Sequence, residues 1–375
     1  DDVEALRAEL PPPEDPEVAA RVEVLRQQIA AARALRDAGD YEAASRMAAA
    51  AVTEAEALSY APVLAEALLL RGGLHEDLAR YADAEADDLR AYLLAAELGY
   101  DLVEAKAVTR LVLVVGYRQA RLDAGLRWGT TALALARGLP AEPTLEASAL
   151  TSIAVLLRSS GQLPEALEHF ERAMGIYERA FGPDHPQVAR LHGNLGSVLR
   201  DQGELAKALA HQRRALELLE RALGPAHPDV SIALNSLGFT LGELGEPSEA
   251  LILHQRALAI DEQAFGADHP DTAAVLSNIG VVLVHRGDLP EAVASFRRAV
   301  AIYERALGAS HPMLAGMLGN LGLALGEQGE LREAQDVLRR ALTIAEQAHG
   351  PSHPDVAMIL VGLADVALRR DDPAA

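Results

Sequence analysis

Five of the twelve histidines stand before proline at one fixed spacing: His185, His227, His269, His311 and His353, each 42 residues after the last. Imidazole is the side chain best suited to ligate a metal or move a proton near neutral pH. A ladder of such rings would be the obvious chemistry, but the spacing works against it. A residue that recurs once per structural unit lies one unit from its next copy. Two helix diameters put that at about 20 Å, too far for one ion to bridge. Each His-Pro therefore reads as a turn and a helix cap, with proline in the first turn, where its missing N–H would be unpaired anyway. His75-Glu76 begins like a zinc-protease motif, but Ala79 stands where a second histidine is needed. Gly238, Gly242 and Gly245 look superficially like a phosphate loop, yet they follow a helical pattern with no preceding strand. No Ser/His/Asp, Cys/His or paired-carboxylate set can be assigned to one pocket. The reading is no catalytic residue, no cofactor and no metal.

The elements that carry these residues keep the same period. Glycine recurs every 42 residues at Gly182, Gly224, Gly266, Gly308 and Gly350, and again at Gly161, Gly203, Gly245, Gly287 and Gly329. A period between about 20 and 50 residues marks a solenoid, whose units bury their apolar faces against one another. Within one unit, Leu191, Leu195 and Leu199 form the apolar stripe of a helix starting at Pro186, with Asp184 or His185 as its N-cap. Gly203 reads as its C′ residue. Ala208, Leu209, Ala215, Leu216 and Leu219 then mark a second, antiparallel helix. Glycine also recurs inside the first helix, at Gly196, Gly238, Gly280 and Gly322, opposite small residues Ala208, Ala250, Ala292 and Ala334. A mid-helix glycine costs about 1 kcal/mol against alanine. Its repetition predicts helices that pass too closely for a side chain. The stripe Gly319, Gly322, Gly326, Gly329 allows either close packing or a flat surface that a ligand backbone approaches. Glu178, Glu220, Glu262, Glu304 and Glu346 read as solvated positions.

These columns resemble the tetratricopeptide repeat. The 42-residue period with Phe181-Gly182-Pro183-Asp184-His185-Pro186 and Phe265-Gly266-Ala267-Asp268-His269-Pro270 resembles its kinesin light chain type. The resemblance implies an all-α, right-handed superhelix of about eight hairpins plus a C-terminal capping helix. The expected organisation is a short helix and linker over 1–18, three degenerate hairpins over 19–140, five regular units over 141–350, and a capping helix and tail over 351–375. The degenerate hairpins rest on the alanine column Ala44, Ala84, Ala124, Ala166. The last helix, ending Arg369-Arg370-Asp371-Asp372, reads as a solvating cap. Leu111 to Trp128 is similar to a segment that follows the catalytic domain of large bacterial Ser/Thr protein kinases, myxobacterial ones especially. That implies the sensor or scaffold part of such a kinase. The kinase motifs themselves are not in this sequence.

Composition sets the outer limits. A net charge of −21 argues against nucleic acid and anionic membrane surfaces. There is no cysteine, and no apolar run approaches the ~20 residues of a membrane span. A cytoplasmic protein is expected. What remains is protein binding, with weak self-association or a passive scaffold as the alternative. In tetratricopeptide solenoids the first helices line the ligand face. The resemblance therefore assigns a peptide groove to Arg158, Asn194, Ser197, Arg200, Asn235, Phe239, Asn278, Val281, His285, Asn320 and Leu323. An asparagine amide donates and accepts together, so Asn194, Asn278 and Asn320 suit an extended backbone of any sequence. Asn235 stands one position early. An asparagine bonded within its own solenoid is the competing reading. Arg158 and Arg200 predict an acidic ligand end, and Phe239 an apolar stretch.

Overall fold

The computed structural model describes residues 11–350 and 354–371. All regular structure among them is helical, arranged as eight antiparallel pairs and a final helix. The pairs are α1 (Pro16–Asp37) with α2 (Tyr41–Leu58), α3 (Ala61–Asp77) with α4 (Tyr81–Leu98), α5 (Asp101–Leu113) with α6 (Leu122–Gly138), and α7 (Pro143–Ser159) with α8 (Leu163–Phe181). Next come α9 (Pro186–Asp201) with α10 (Leu205–Leu223), α11 (Pro228–Glu243) with α12 (Pro247–Ala264), α13 (Pro270–Arg286) with α14 (Leu289–Leu307), and α15 (Met313–Gln328) with α16 (Leu331–His349). Helix α17 (Pro354–Asp371) follows. Two compact units divide the chain, residues 1–227 with α1–α10 and residues 228–375 with α11–α17.

The periodic residues account for where the helices begin and end. His185 caps α9: its Nδ1 accepts the Gln187 N–H at 3.2 Å. His269 does the same for Asp271 at 3.1 Å, and His311 for Met313 at 3.3 Å. Phe181 and Phe265 stack on the capping rings, with centroids 4.3 and 4.5 Å apart. The Phe-Gly-x-x-His-Pro string is thus one structural device, an aromatic lid on an imidazole cap. Its glycine is obligatory: Gly182 has φ 87° and ψ 164°, a region closed to residues with a Cβ. His353 lies outside the described residues.

The helix-interior glycines have a two-part cause. A Cβ on Gly196 would lie 3.1 Å from the Ala208 carbonyl oxygen and 2.6 Å from Gln212 Cγ. The alanine column does pass close, but a large side chain sixteen residues after the glycine fills the remaining space. Gly238 faces His254, Gly280 faces Phe296, and Gly322 faces Leu338 in the same way. Gly326 packs on Val366 of α17 and Gly319 on Ile359, so these two and Gly322 form a packing surface, while Gly329 is the exposed left-handed cap that ends α15.

Three expectations change. Helix α5 ends in a π-helical turn, Val114–Arg118. The extra residue moves the close crossing onto Gly116 and Gly125, and it is Gly125 rather than Ala124 that is buried. The predicted N-terminal helix falls on residues 1–10, outside the described residues, while Pro16 already begins α1. Helix α17 is not solvating on its outer side. Met358, Leu360, Val361 and Leu368 are 54%, 47%, 70% and 73% exposed. Leu360, Val361 and Leu368 lie 42 residues beyond Leu318, Gly319 and Gly326, which are buried in the preceding pair.

Candidate functional site

Unit 1 holds a cavity of about 390 Å³ on the face lined by its first helices. Arg33 and Arg36 of α1, Lys106 and Arg110 of α5, Thr144 and Ser148 of α7, and Gln187 of α9 reach it. A second space of about 240 Å³ shares Thr109, Arg110, Ser148, Tyr177 and Gln187 with the first, and continues to Ser152, Arg190 and Asn194. Together they make a trough. Its far wall is aromatic: Tyr177, Phe181 and His185 stack in series, with centroids 5.9 and 4.3 Å apart. The curl of unit 1 brings its last residue back to its first hairpin, where His227 Nε2 lies 2.9 Å from the Asp37 carbonyl oxygen.

Two arginines in this trough are set from behind. Asp77 takes Arg36 through Nε at 2.5 Å and Nη2 at 3.1 Å. Asp88 takes Arg110 Nε at 3.0 and 3.2 Å, and Glu76 takes its Nη2 at 3.3 Å. Their Nη1 atoms converge on Gly73, at 2.8 and 3.0 Å from the point a Cβ would occupy. Gly72 makes the matching room for Asp88. Burial pushes Asp88 up to about 7, against the pull of Arg110. The Gly72-Gly73 dipeptide is therefore the floor of a guanidinium pair. Neither the dipeptide nor these arginines stood out in the sequence, because the degenerate hairpins have no 42-residue register against which to see them. The available signal was the spacing of two cations one turn apart on each of two first helices, Arg33/Arg36 and Lys106/Arg110.

The residues expected to form a groove fall into the two units. In unit 1, Asn194 lines the smaller space, and its side chain has no hydrogen-bond partner among the described residues. Arg158 Nε and the Arg200 guanidinium share one carboxylate, Asp201, each at 2.6 Å, which neutralises part of the charge an acidic ligand would meet. Ser197 is buried and donates to the Gly193 carbonyl at 3.1 Å. In unit 2, Asn278 Nδ2 donates to Asn235 Oδ1 at 3.0 Å, and His254 Nδ1 lies 2.9 Å from the same oxygen. The early position of Asn235 is what lets it meet both. Phe239, Val281 and Asn320 are half-buried, while His285 and Leu323 are exposed.

The zinc-protease likeness resolves into an ion-pair cluster: His75 Nδ1 lies 3.2 Å from Asp87, which also holds Arg71 at 2.7 Å. No group of three or more His, Asp or Glu side chains among the described residues is arranged to hold a metal. No helix among them is long and apolar enough to cross a membrane.

No curated protein matches the chain. Among solved structures, a Rap protein complexed with competence and sporulation factor superposes over 93% of this chain and 98% of its own, with a TM-score of 0.59 at 16% identity. That likeness is one of fold. BtubC (BKLC) from P. vanneervenii is 20% identical over 66% of this chain and 94% of its own, with a TM-score of 0.48. A crystallised set of nearly identical TPR-like repeats from Podosopora anserina, assigned to kinesin light chain, is 22% identical over 53% of this chain and 95% of its own, with a TM-score of 0.42. The sequence profile of the tetratricopeptide repeat matches residues 145–221, 187–263, 249–305, 271–347 and 313–375, overlapping windows that cover most of the chain in the register of the paired helices. Helical hairpins, obligatory glycines and a matching profile together place this chain in the tetratricopeptide repeat family.

Proposed function

We propose that this protein is a binding module without chemistry of its own, taking an extended peptide or protein segment along the inner face of its first helices. The observation that carries the reading is the trough in unit 1, where a polar, partly cationic wall faces an aromatic one and the Asn194 side chain has no hydrogen-bond partner among the described residues. Aromatic and apolar burial would supply most of the affinity, with asparagine and threonine groups setting chain direction. The Rap protein that superposes over most of this chain was solved in complex with competence and sporulation factor, which supports ligand binding as a use of this fold. The resemblance of Leu111 to Trp128 to kinase-associated segments supports a place in a bacterial signalling protein, as the sensor or scaffold arm of a Ser/Thr kinase acting in the cytoplasm. A random peptide library panned against the wild type and against Asn194→Ala with Tyr177→Ala tests the site. Peptides retained by the wild type and lost by a folded variant are the expected result. Equal retention by both, or by neither, sinks it.

Self-association is a second reading, favoured by one observation. The outer stripe of α17, Leu360, Val361 and Leu368, is exposed, whereas Gly319 and Gly326, 42 residues before Val361 and Leu368, are covered by the next helix, α17 itself. A second copy of α17, packed antiparallel about Ala364, would cover it.

A further inference from the structure

We propose that His192 of α9 and His211 of α10 form a two-nitrogen site for a late first-row divalent metal ion, Cu(II) above all. Their Nδ1 atoms lie 2.9 Å apart across the hairpin, and both rings are half-buried. The capping histidines come one to a unit, but these two stand on facing helices of a single hairpin. His192 also departs from its column. Leu150, Leu234, Leu276 and Leu318 hold the equivalent positions of the other regular units, and all four are buried. On the second helix, the positions equivalent to His211 are His169, Leu253, Ser295 and Val337. An imidazole therefore replaces a core leucine in the one regular hairpin where a second imidazole stands opposite.

The spacing fits an ion. Two donors about 2.0 Å from one metal lie about 2.8 Å apart at a right angle and about 3.3 Å apart at the tetrahedral angle. The observed 2.9 Å is close to the first, the cis edge of a tetragonal ion. Cu(II) and Ni(II) take that geometry with nitrogen and oxygen donors. Both rings are neutral at pH 7, which is the ligating form. Burial, with the facing His211 ring and Arg214, holds His192 at about 4. Burial also lowers His211, against the pull of the Glu171 carboxylate on α8. Arg214 already has its charge met by Asp184 at 2.7 Å and Glu217 at 3.1 Å. Between two neutral rings one Nδ1–H donates and the other Nδ1 accepts. To take an ion, the donating ring moves its proton to Nε2, which frees both Nδ1 lone pairs without a net loss of protons. Two nitrogens leave the remaining positions to water, so the site is an open one.

The test uses the full chain without a histidine tag. CuCl2 is titrated at pH 7 in a non-coordinating buffer, followed by calorimetry and electron paramagnetic resonance. The expected result is one Cu(II) per chain with a two-nitrogen hyperfine pattern, Zn(II) held more weakly and Mg(II) not at all. His192→Leu takes the residue of the equivalent positions, and His211→Leu takes that of position 253, so both suit the fold. Each should weaken Cu(II) about tenfold or more and leave a one-nitrogen pattern. His169→Ala, on the preceding hairpin, should change neither. Cu(II) should also raise the melting temperature of the wild type but not of His192→Leu. Equal affinity in the wild type and His192→Leu overturns the site, as does a folded wild type that takes no ion. A preference for Zn(II) over Cu(II) overturns the tetragonal assignment.

Discussion

The side chains facing the helix glycines show how much one position decides. Gln212, His254, Phe296 and Leu338 occupy one site in four successive units, yet only the last two are apolar. Both amide atoms of Gln212 are buried without a partner, which costs about 1–3 kcal/mol relative to a satisfied group. Gln212→Leu, the residue already used at 338, should raise the melting temperature by a few degrees. An unchanged or lower value would show that the amide is satisfied. His254 is fully buried, and burial holds its pKa down at about 4 against an ordinary 6.5. The unfolded chain therefore takes up a proton before the folded one does as pH falls. Its contribution to stability is complete above about 6.5 and is lost between there and about 4. Burial holds Asp261 at about 7, which works in the opposite sense, so the informative quantity is a difference. Between pH 7 and 4.5, His254→Leu should lose less stability than the wild type in calorimetric melts. Parallel curves would refute the assignment.

At the scale of helices, two devices set the hairpin: the capped start of the first helix and its close crossing with the second. Removing the imbracing imidazole in His269→Ala leaves the Asp271 N–H without its acceptor and Phe265 without its stacking partner. A loss of about 1 kcal/mol is expected, typical of an N-cap, read from urea unfolding. Gly280→Leu should cost about 1–3 kcal/mol or more, since even a Cβ there meets Phe296 at 2.7 Å. The same substitution with Phe296→Ala should recover part of that loss, because the clash is with that ring. No recovery would place the strain in the backbone instead. The π turn at Val114–Arg118 belongs to this scale as well. One extra residue in the first helix was invisible to a count of alanines, because the count assumes an unbroken helical ladder.

At the scale of the molecule, the outer side of α17 decides whether copies associate. Four apolar residues at 47–73% exposure on one helix predict a concentration-dependent mass in sedimentation velocity. Val361→Lys with Leu368→Lys should return the protein to a monomer without lowering its melting temperature. A monomer at every concentration in the wild type would remove self-association from consideration. The inner trough of unit 1 is also a whole-unit property, since α1 and the α8–α9 corner meet across it although Arg36 and Phe181 are far apart in sequence.

The sequence by itself determined the hairpins. Residues 42 apart repeat their roles because each unit meets the same neighbours, so glycine turns, His-Pro caps and apolar stripes could be read before any coordinates. The place of the caps followed from proline and histidine chemistry, and the family followed from the columns. The tertiary structure decided what the columns do not contain. The guanidinium pair over Gly73 joins α1, α3 and α5, and its carboxylates come from α3 and α4, with no shared register to announce it. That Asn278 meets another asparagine depended on a one-residue offset at Asn235. The outer stripe of α17 became visible only once burial showed which of its faces no described helix covers. Periodicity records what every unit must do to pack, whereas a binding site is made where units differ.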